Sequence, residues 1–182
     1  MIVVIPLGGI GQRFKDHGYT RPKALIKIFG KPILYYLLDG LNLDEVDFVY
    51  IPYNREYSDY NFESVLKNDY PHVRFKFFKL ENQTRGAAET IYLSLNQLKM
   101  ETDTPVLCLD GDNFYECDII TRWGGENCVF TMHDTTLKPI YSYVKHDDCS
   151  NIHEIREKEK ISDHACTGAY GFSSVSELKK FA

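Results

Sequence analysis

No stretch of this sequence approaches the ~18 consecutive apolar residues that a membrane-spanning helix needs, so no segment reads as a span. The apolar opening, residues 1–7, has no basic flank and runs straight into glycines. It reads as a strand rather than a signal peptide. Positive charge is in deficit: 21 Lys and Arg stand against 26 Asp and Glu, a net of -5. Such a chain lacks the broad positive field that collects nucleic acid through its phosphates, and no nucleic-acid partner is expected. Paired cysteine motifs are missing. The five cysteines are odd in number and form no CxxC, which fits reduced thiols and a cytoplasmic location better than a disulfide framework. His146, Asp147, Asp148, Cys149 and His153 match no zinc spacing and read as a polar turn. No nucleophile–histidine pairing with catalytic spacing is visible. Internal repeats, low-complexity tracts and linkers are absent, so the 182 residues read as one domain.

What is present is an ordinary globular composition, 43% hydrophobic, with 13 Tyr and 11 Phe that argue against disorder. Residues 2–7 form a β-branched apolar run, the mark of a buried strand, with Pro6 near its end. Further strands are predicted over 46–52, 73–80 and 105–109. Helices are predicted over 32–41, 57–68 and 86–100, the last with Ala87, Ile91, Leu95 and Leu98 on one face. This alternation predicts an α/β fold: a Rossmann-like, mostly parallel sheet flanked by helices. The second half is richer in β-structure, with strands predicted over 127–133, 140–146, 152–157 and 166–172 and a last helix from 176 to 181.

Right-handed crossovers place the C-terminal ends of parallel strands on one edge, where ligands bind. The glycine loop Gly8-Gly9-Ile10-Gly11 and the acidic cluster Asp110-Gly111-Asp112 both follow strand ends, so one crevice is expected to hold them. Glycines let backbone N–H groups approach phosphate oxygens. Arg13 and Lys23 flank the loop with two cations, one able to grip phosphate through two donors and one a point charge. That set suits a triphosphate. It is neither the dinucleotide fingerprint, for want of G-x-G-x-x-G, nor a P-loop, because Gly30-Lys31 is followed by Pro32.

The run G-G-x-G-x-R, then P-K-x-L at Pro22 and G-K-P-I-L at Gly30, resembles the opening of the sugar-phosphate nucleotidyltransferases. That family includes glucose-1-phosphate thymidylyltransferases and choline-phosphate cytidylyltransferases. Gln12 stands where the family usually has Thr. The resemblance implies a nucleotide-diphospho-sugar transferase type of fold whose second half binds the acceptor. It implies that Leu7, Gly8, Gly9 and Gly11 contact the nucleotide through backbone. Gln83 and Gly86, in Asn82-Gln83-Thr84-Arg85-Gly86, would read and pack on the base. Gly111-Asp112-Asn113 matches the family's G-D-N, with Asp112 the ligand of a Mg²⁺ cofactor and Asp110 its alternative or outer partner. Glu157 and Lys158 resemble the family's E-K pair at the acceptor phosphate, and Gly168 lies in the strand that lines the acceptor pocket.

The activity so implied is transfer of NMP from an NTP, a pyrimidine one by analogy, to a small phosphorylated metabolite with release of pyrophosphate. Arg13, Lys23 and Asp112 would carry the catalysis. Two alternatives stand beside it: a nucleotide-binding module without turnover, and a glycosyltransferase using the D-x-D-like cluster. Family members usually continue with a further Mg²⁺ carboxylate, so the chain is expected to be the N-terminal part of a longer protein. The oligomeric state is left open, a homo-oligomer included.

Overall fold

The computed structural model describes residues 1–98 and 103–182. Its first half contains β1 (Ile2–Val4), α1 (Gln12–Asp16), the hairpin strands β2 (Lys27–Ile28) and β3 (Lys31–Pro32), α2 (Ile33–Asp39), β4 (Phe48–Asn54), α3 (Phe62–Asp69), β5 (Phe75–Leu80), α4 (Ala87–Gln97) and β6 (Val106–Leu109). The second half contains β7 (Cys128–His133), β8 (Ser142–His146), β9 (Ile152–Glu157), β10 (His164–Phe172) and α5 (Val175–Phe181). Among the described residues eight strands form one sheet, in the order β5-β4-β1-β6-β10-β8-β9, with β7 also paired to β10. The centre is the expected parallel set: β5, β4, β1 and β6. Beyond β6 every pairing is antiparallel, so the β-rich second half widens the same sheet.

Period-two alternation gives this sheet two apolar faces. Val3, Ile5, Val49, Ile51, Leu107 and Leu109 face a core shared with Leu34 and Leu37 of α2 and Leu66 of α3. Ile2, Val4, Phe48, Tyr50, Val106 and Cys108 face a second core with Ile91 and Leu95 of α4 and Leu178 of α5. Burying both faces locks the register, since a one-residue slip would exchange the two sets. The first strand's ladder continues past Val4. Ile5 N–H donates to the Tyr50 carbonyl at 2.9 Å and Leu7 N–H to that of Pro52 at 2.7 Å, around a Pro6 that has no N–H to give.

Three sequence expectations change. The helix expected over 57–68 is two pieces, a 3₁₀ segment at Arg55–Tyr60 and then α3, because Asn61 adopts a left-handed φ of 50° that an asparagine tolerates. In α4 the buried stripe is Thr90, Ile91, Ser94 and Leu95, and Ala87 is exposed. Thr90 and Ser94 are buried at little cost because their hydroxyls donate to the carbonyls of Gly86 and Ile91. The expected end of that helix, at Met100, lies outside the described residues. The sequence reading also missed α1 and the β2–β3 hairpin, whose turn residues Phe29 and Gly30 both have positive φ. The Asp147 region is the polar turn expected: its carboxylate accepts from Cys149 N–H at 2.9 Å and Asn151 N–H at 2.8 Å.

One buried carboxylate sets an acid dependence on stability. Asp134 is 6% exposed and accepts from Tyr143 Oη at 2.6 Å and Thr136 N–H at 2.9 Å. These bonds, that from Tyr143 first, pull its pKa from 3.8 to about 2. A depressed folded pKa contributes stability that is present above the unfolded value and lost as pH falls from 3.8 through about 2. Asp134→Asn is therefore expected to lower the melting temperature near neutral pH and to flatten its decline below about pH 4. An unchanged acid slope in denaturant titrations of the variant would contradict this.

Candidate functional site

The C-terminal ends of the parallel strands open onto adjoining concavities. A cleft of about 250 Å³ lies between the ends of β1 and β6 and is lined by Leu7, Gly9, Gly11, Lys23, Asp110 and Asp112, among others. Strand order explains the meeting: β1 and β6 are hydrogen-bonded neighbours, so their exits lie side by side. Gly111 belongs to this seam. A Cβ there would come within 2.4 Å of Leu7 Cδ2, so only glycine lets the two exits touch.

Lys23 begins a 3₁₀ turn after Pro22 and reaches the cleft by packing on the glycine loop. Gly11 has φ 64°, and a Cβ on it would sit 3.3 Å from Lys23 Cβ. The ammonium of Lys23 forms an ion pair with Asp112, and the ring of Phe14 lies 5.6 Å from Nζ. Asp110 lies deeper. Burial first, then the adjacent Asp112 charge, pushes its pKa up to about 6, against the opposing pull of Lys23. Two carboxylates thus share one cleft with one ammonium.

The rest of the glycine loop is fastened from β4. Asn54, 6% exposed at that strand's end, donates from Nδ2 to the Gly9 carbonyl at 2.9 Å, and its Oδ1 accepts from Glu56 N–H at 3.0 Å. Glu56 also pairs with Lys15 of α1 at 2.6 Å. The sequence reading missed Asn54. Its one signal was a polar residue closing an apolar strand. Beside the loop, a pocket of about 210 Å³ is lined by Ile10, Asn54, Leu80 and Gln83. Gly86 stands next to α4 with open space about it. Gly8 lies under the same helix start, where a Cβ would meet Thr90 Oγ1 at 2.3 Å.

On the other side of Asp110 is a cavity of about 810 Å³, walled by the segment after β6 and by β7, β8 and β10. Gly168 and Asp110 both line it. Gly168 sits in a bulge of β10 with φ 77°, and its carbonyl accepts from Asp110 N–H at 2.9 Å. The space its missing side chain leaves is taken by Asn113 and Asp110 themselves, 2.2 and 2.4 Å from a Cβ built there. The missing side chain thus makes room for Asp110. Asn113 Nδ2 donates to the Thr167 carbonyl at 2.6 Å and helps hold the wall.

The structure brings together Leu7, Gly8, Gly9, Gly11, Lys23, Asp110, Asp112 and Gln83 at this edge. Arg13 is exposed on α1 and does not line the cleft. Glu157 and Lys158 stand at the end of β9, paired with each other at 2.8 Å and outside the cavity lining.

A glycine loop, a lysine and a carboxylate pair gather at the exits of a parallel sheet, the edge at which open α/β sheets bind ligands. The family model described as nucleotidyl transferase matches residues 2–180, and the chain belongs to that family. It is 29% identical over 129 residues to the bifunctional protein GlmU of Methanococcus vannielii, covering 71% of this chain and 28% of that protein. It is 26% identical over 163 residues to GlmU of Methanocaldococcus jannaschii, covering 87% and 36%. The chain thus spans about a third or less of these relatives' length. Among solved structures, the nucleoside-diphosphate-sugar pyrophosphorylase of Vibrio cholerae RC9 superposes with a TM-score of 0.79 at 20% identity, over 99% of this chain and 76% of that one. The inositol-1-phosphate CTP transferase of T. maritima gives 0.76 at 16% identity, over 94% and 69%. These two likenesses bear on the fold.

Proposed function

We propose that the chain transfers NMP from an NTP, a pyrimidine nucleotide by preference, to a small phosphorylated metabolite such as a sugar 1-phosphate. A phosphate oxygen of the acceptor attacks the α-phosphorus. The bond from that phosphorus to the bridging oxygen breaks, and pyrophosphate leaves with the electron pair. The observation that carries this reading is the convergence of Gly9, Gly11, Lys23, Asp110 and Asp112 on one cleft that shares Asp110 with a larger cavity.

Loop N–H groups cradle the β- and γ-phosphates; Arg13, exposed on the helix that follows and outside the cleft lining, is assigned to the leaving phosphates by the resemblance alone. Lys23 answers the charge that builds on the α-phosphate. Gln83 presents hydrogen-bonding groups to the base in the pocket beside the loop. The acceptor occupies the large cavity, with its nucleophile at the Asp110 wall. The donor set suits Mg²⁺: two carboxylates share the cleft with one ammonium, which leaves a net negative charge for a hard cation. Asp112, with Asp110 behind it, would hold the ion, which would supply charge neutralisation for the phosphates. The residues do little covalent work, and catalysis here is positioning and electrostatics.

The test is pyrophosphate release from each NTP with Mg²⁺ and a panel of phosphorylated acceptors. CTP, UTP or dTTP is expected to support release that depends on acceptor and stops on chelation. Saturable NTP binding without release across the panel would reject transfer and leave a binding module.

A further inference from the structure

The large cavity has a charge pattern that the family resemblance did not anticipate. Three of its lining residues are charged, Asp110, Glu116 and Arg122, and Arg122 is the one cation. Among the described residues Arg122 joins no ion pair. Asp118, four positions earlier, accepts from Ile120 N–H through Oδ1 at 3.1 Å, and its buried Oδ2 has no partner among the described residues, so it does not engage Arg122.

The backbone that carries Arg122 is anchored. Thr121 Oγ1 donates to the Asp118 carbonyl at 3.0 Å, and Trp123 N–H to that of Ile120 at 3.2 Å. Ile119, Ile120 and Trp123 are each at most 8% exposed, so the turn is anchored on both sides of the arginine. The Trp123 indole donates to the Glu126 carbonyl at 2.8 Å and presses on Gly171 of β10, where a Cβ would lie 2.3 Å from Nε1. The arginine thus projects from an anchored backbone turn at a concave wall, exposed and in no ion pair among the described residues, where its guanidinium can grip a phosphate through two donors. The cavity's volume is of the size that small-molecule sites have. Lys158, by contrast, is a 58%-exposed side chain paired with Glu157. Its backbone N–H donates to the Tyr141 carbonyl at 2.8 Å, so it backs a wall residue and does not line the wall itself.

We propose that Arg122 binds the phosphate of the second substrate in this cavity, in preference to Lys158. The proposal rests on the nucleotidyl-transfer reading for its substrate, but it is testable by binding alone. Glucose 1-phosphate and inorganic phosphate serve as probes in calorimetric titrations of the full chain, its Arg122→Gln, Arg122→Lys and Lys158→Gln variants. Arg122→Gln is expected to weaken binding about tenfold or more, the size of a lost charge-assisted contact. Arg122→Lys restores part of it, and Lys158→Gln loses less than Arg122→Gln. NTP affinity and melting temperature in Arg122→Gln stay at wild-type values, which separates the effect from misfolding. Unchanged binding in Arg122→Gln, a larger loss in Lys158→Gln, or no binding of either probe by the wild type would each overturn the proposal. Arg122-dependent binding without pyrophosphate release would instead sink the transfer reading and leave this one standing.

Discussion

Lys23→Ala is expected to lower kcat for pyrophosphate release by about 10²-fold or more, with little change in melting temperature. The two halves of this expectation come from the same ion pair. Lys23 and Asp112 are 36% and 38% exposed, so water already solvates both, and their pairing contributes little to stability. In the proposed transfer the cleft would be filled by polyphosphate, water would be displaced, and the same ammonium would face charge that develops at the α-phosphorus. There a preorganised cation is worth far more than at a wet surface. Asp112→Ala is expected to lose as much from the opposite direction, by removing the anchor for the cation on the other side. Because the two groups act on one charge distribution, the double variant should cost much less than the product of the single losses. Fully multiplicative losses, or near-normal turnover in either single variant, would show that they serve separate ends.

Gly168→Ala is expected to destabilise the chain by about 2–4 kcal/mol, the sum of a left-handed φ imposed on alanine and an overpacked contact. Its φ is 77°, and a Cβ would lie 2.4 Å from Asp110 Oδ2 and 2.2 Å from Asn113 Nδ2. Gly125→Ala is the control. It has φ 89° with nothing within 4 Å, so it carries the backbone cost alone, about 1–2 kcal/mol. The excess at Gly168 measures the clash. That excess should come with lost turnover, since relief requires Asp110 to move away from both concavities it lines. Equal melting-temperature shifts for the two variants would remove this account of the bulge.

Much of this was legible in the sequence because it is written in local signals. A β-branched run ending in glycines marks β1 and its loop, and the apolar Val106–Leu109 followed by Asp-Gly-Asp marks β6 and its acidic end. Topology then forces those two ends together. What stayed hidden depends on contacts between distant segments. Asn54 is an ordinary polar residue until the fold lays it under the Gly9 carbonyl. Arg122 is one charge in an unstructured stretch until Ile119, Ile120 and Trp123 anchor it beside β10. Asn61, in a left-handed conformation, divides a segment whose apolar spacing reads as one helix. The resemblance singled out the glycine loop and the acidic tip, which the fold brings to one cleft, and Lys158, which the fold leaves outside the lining of the large cavity.

Because β1 and β6 are hydrogen-bonded neighbours, the strands that lead into the loop and the acidic tip run about 4.8 Å apart at the backbone where they pair. That ruler is set by main-chain hydrogen bonds and is indifferent to which side chains line it. Substitutions around the rim can therefore alter which base or acceptor is chosen without altering the span offered to the phosphates. If the proposed transfer holds, the gauge of the reaction is inherited from the sheet, and choice of partner is left to the parts outside it.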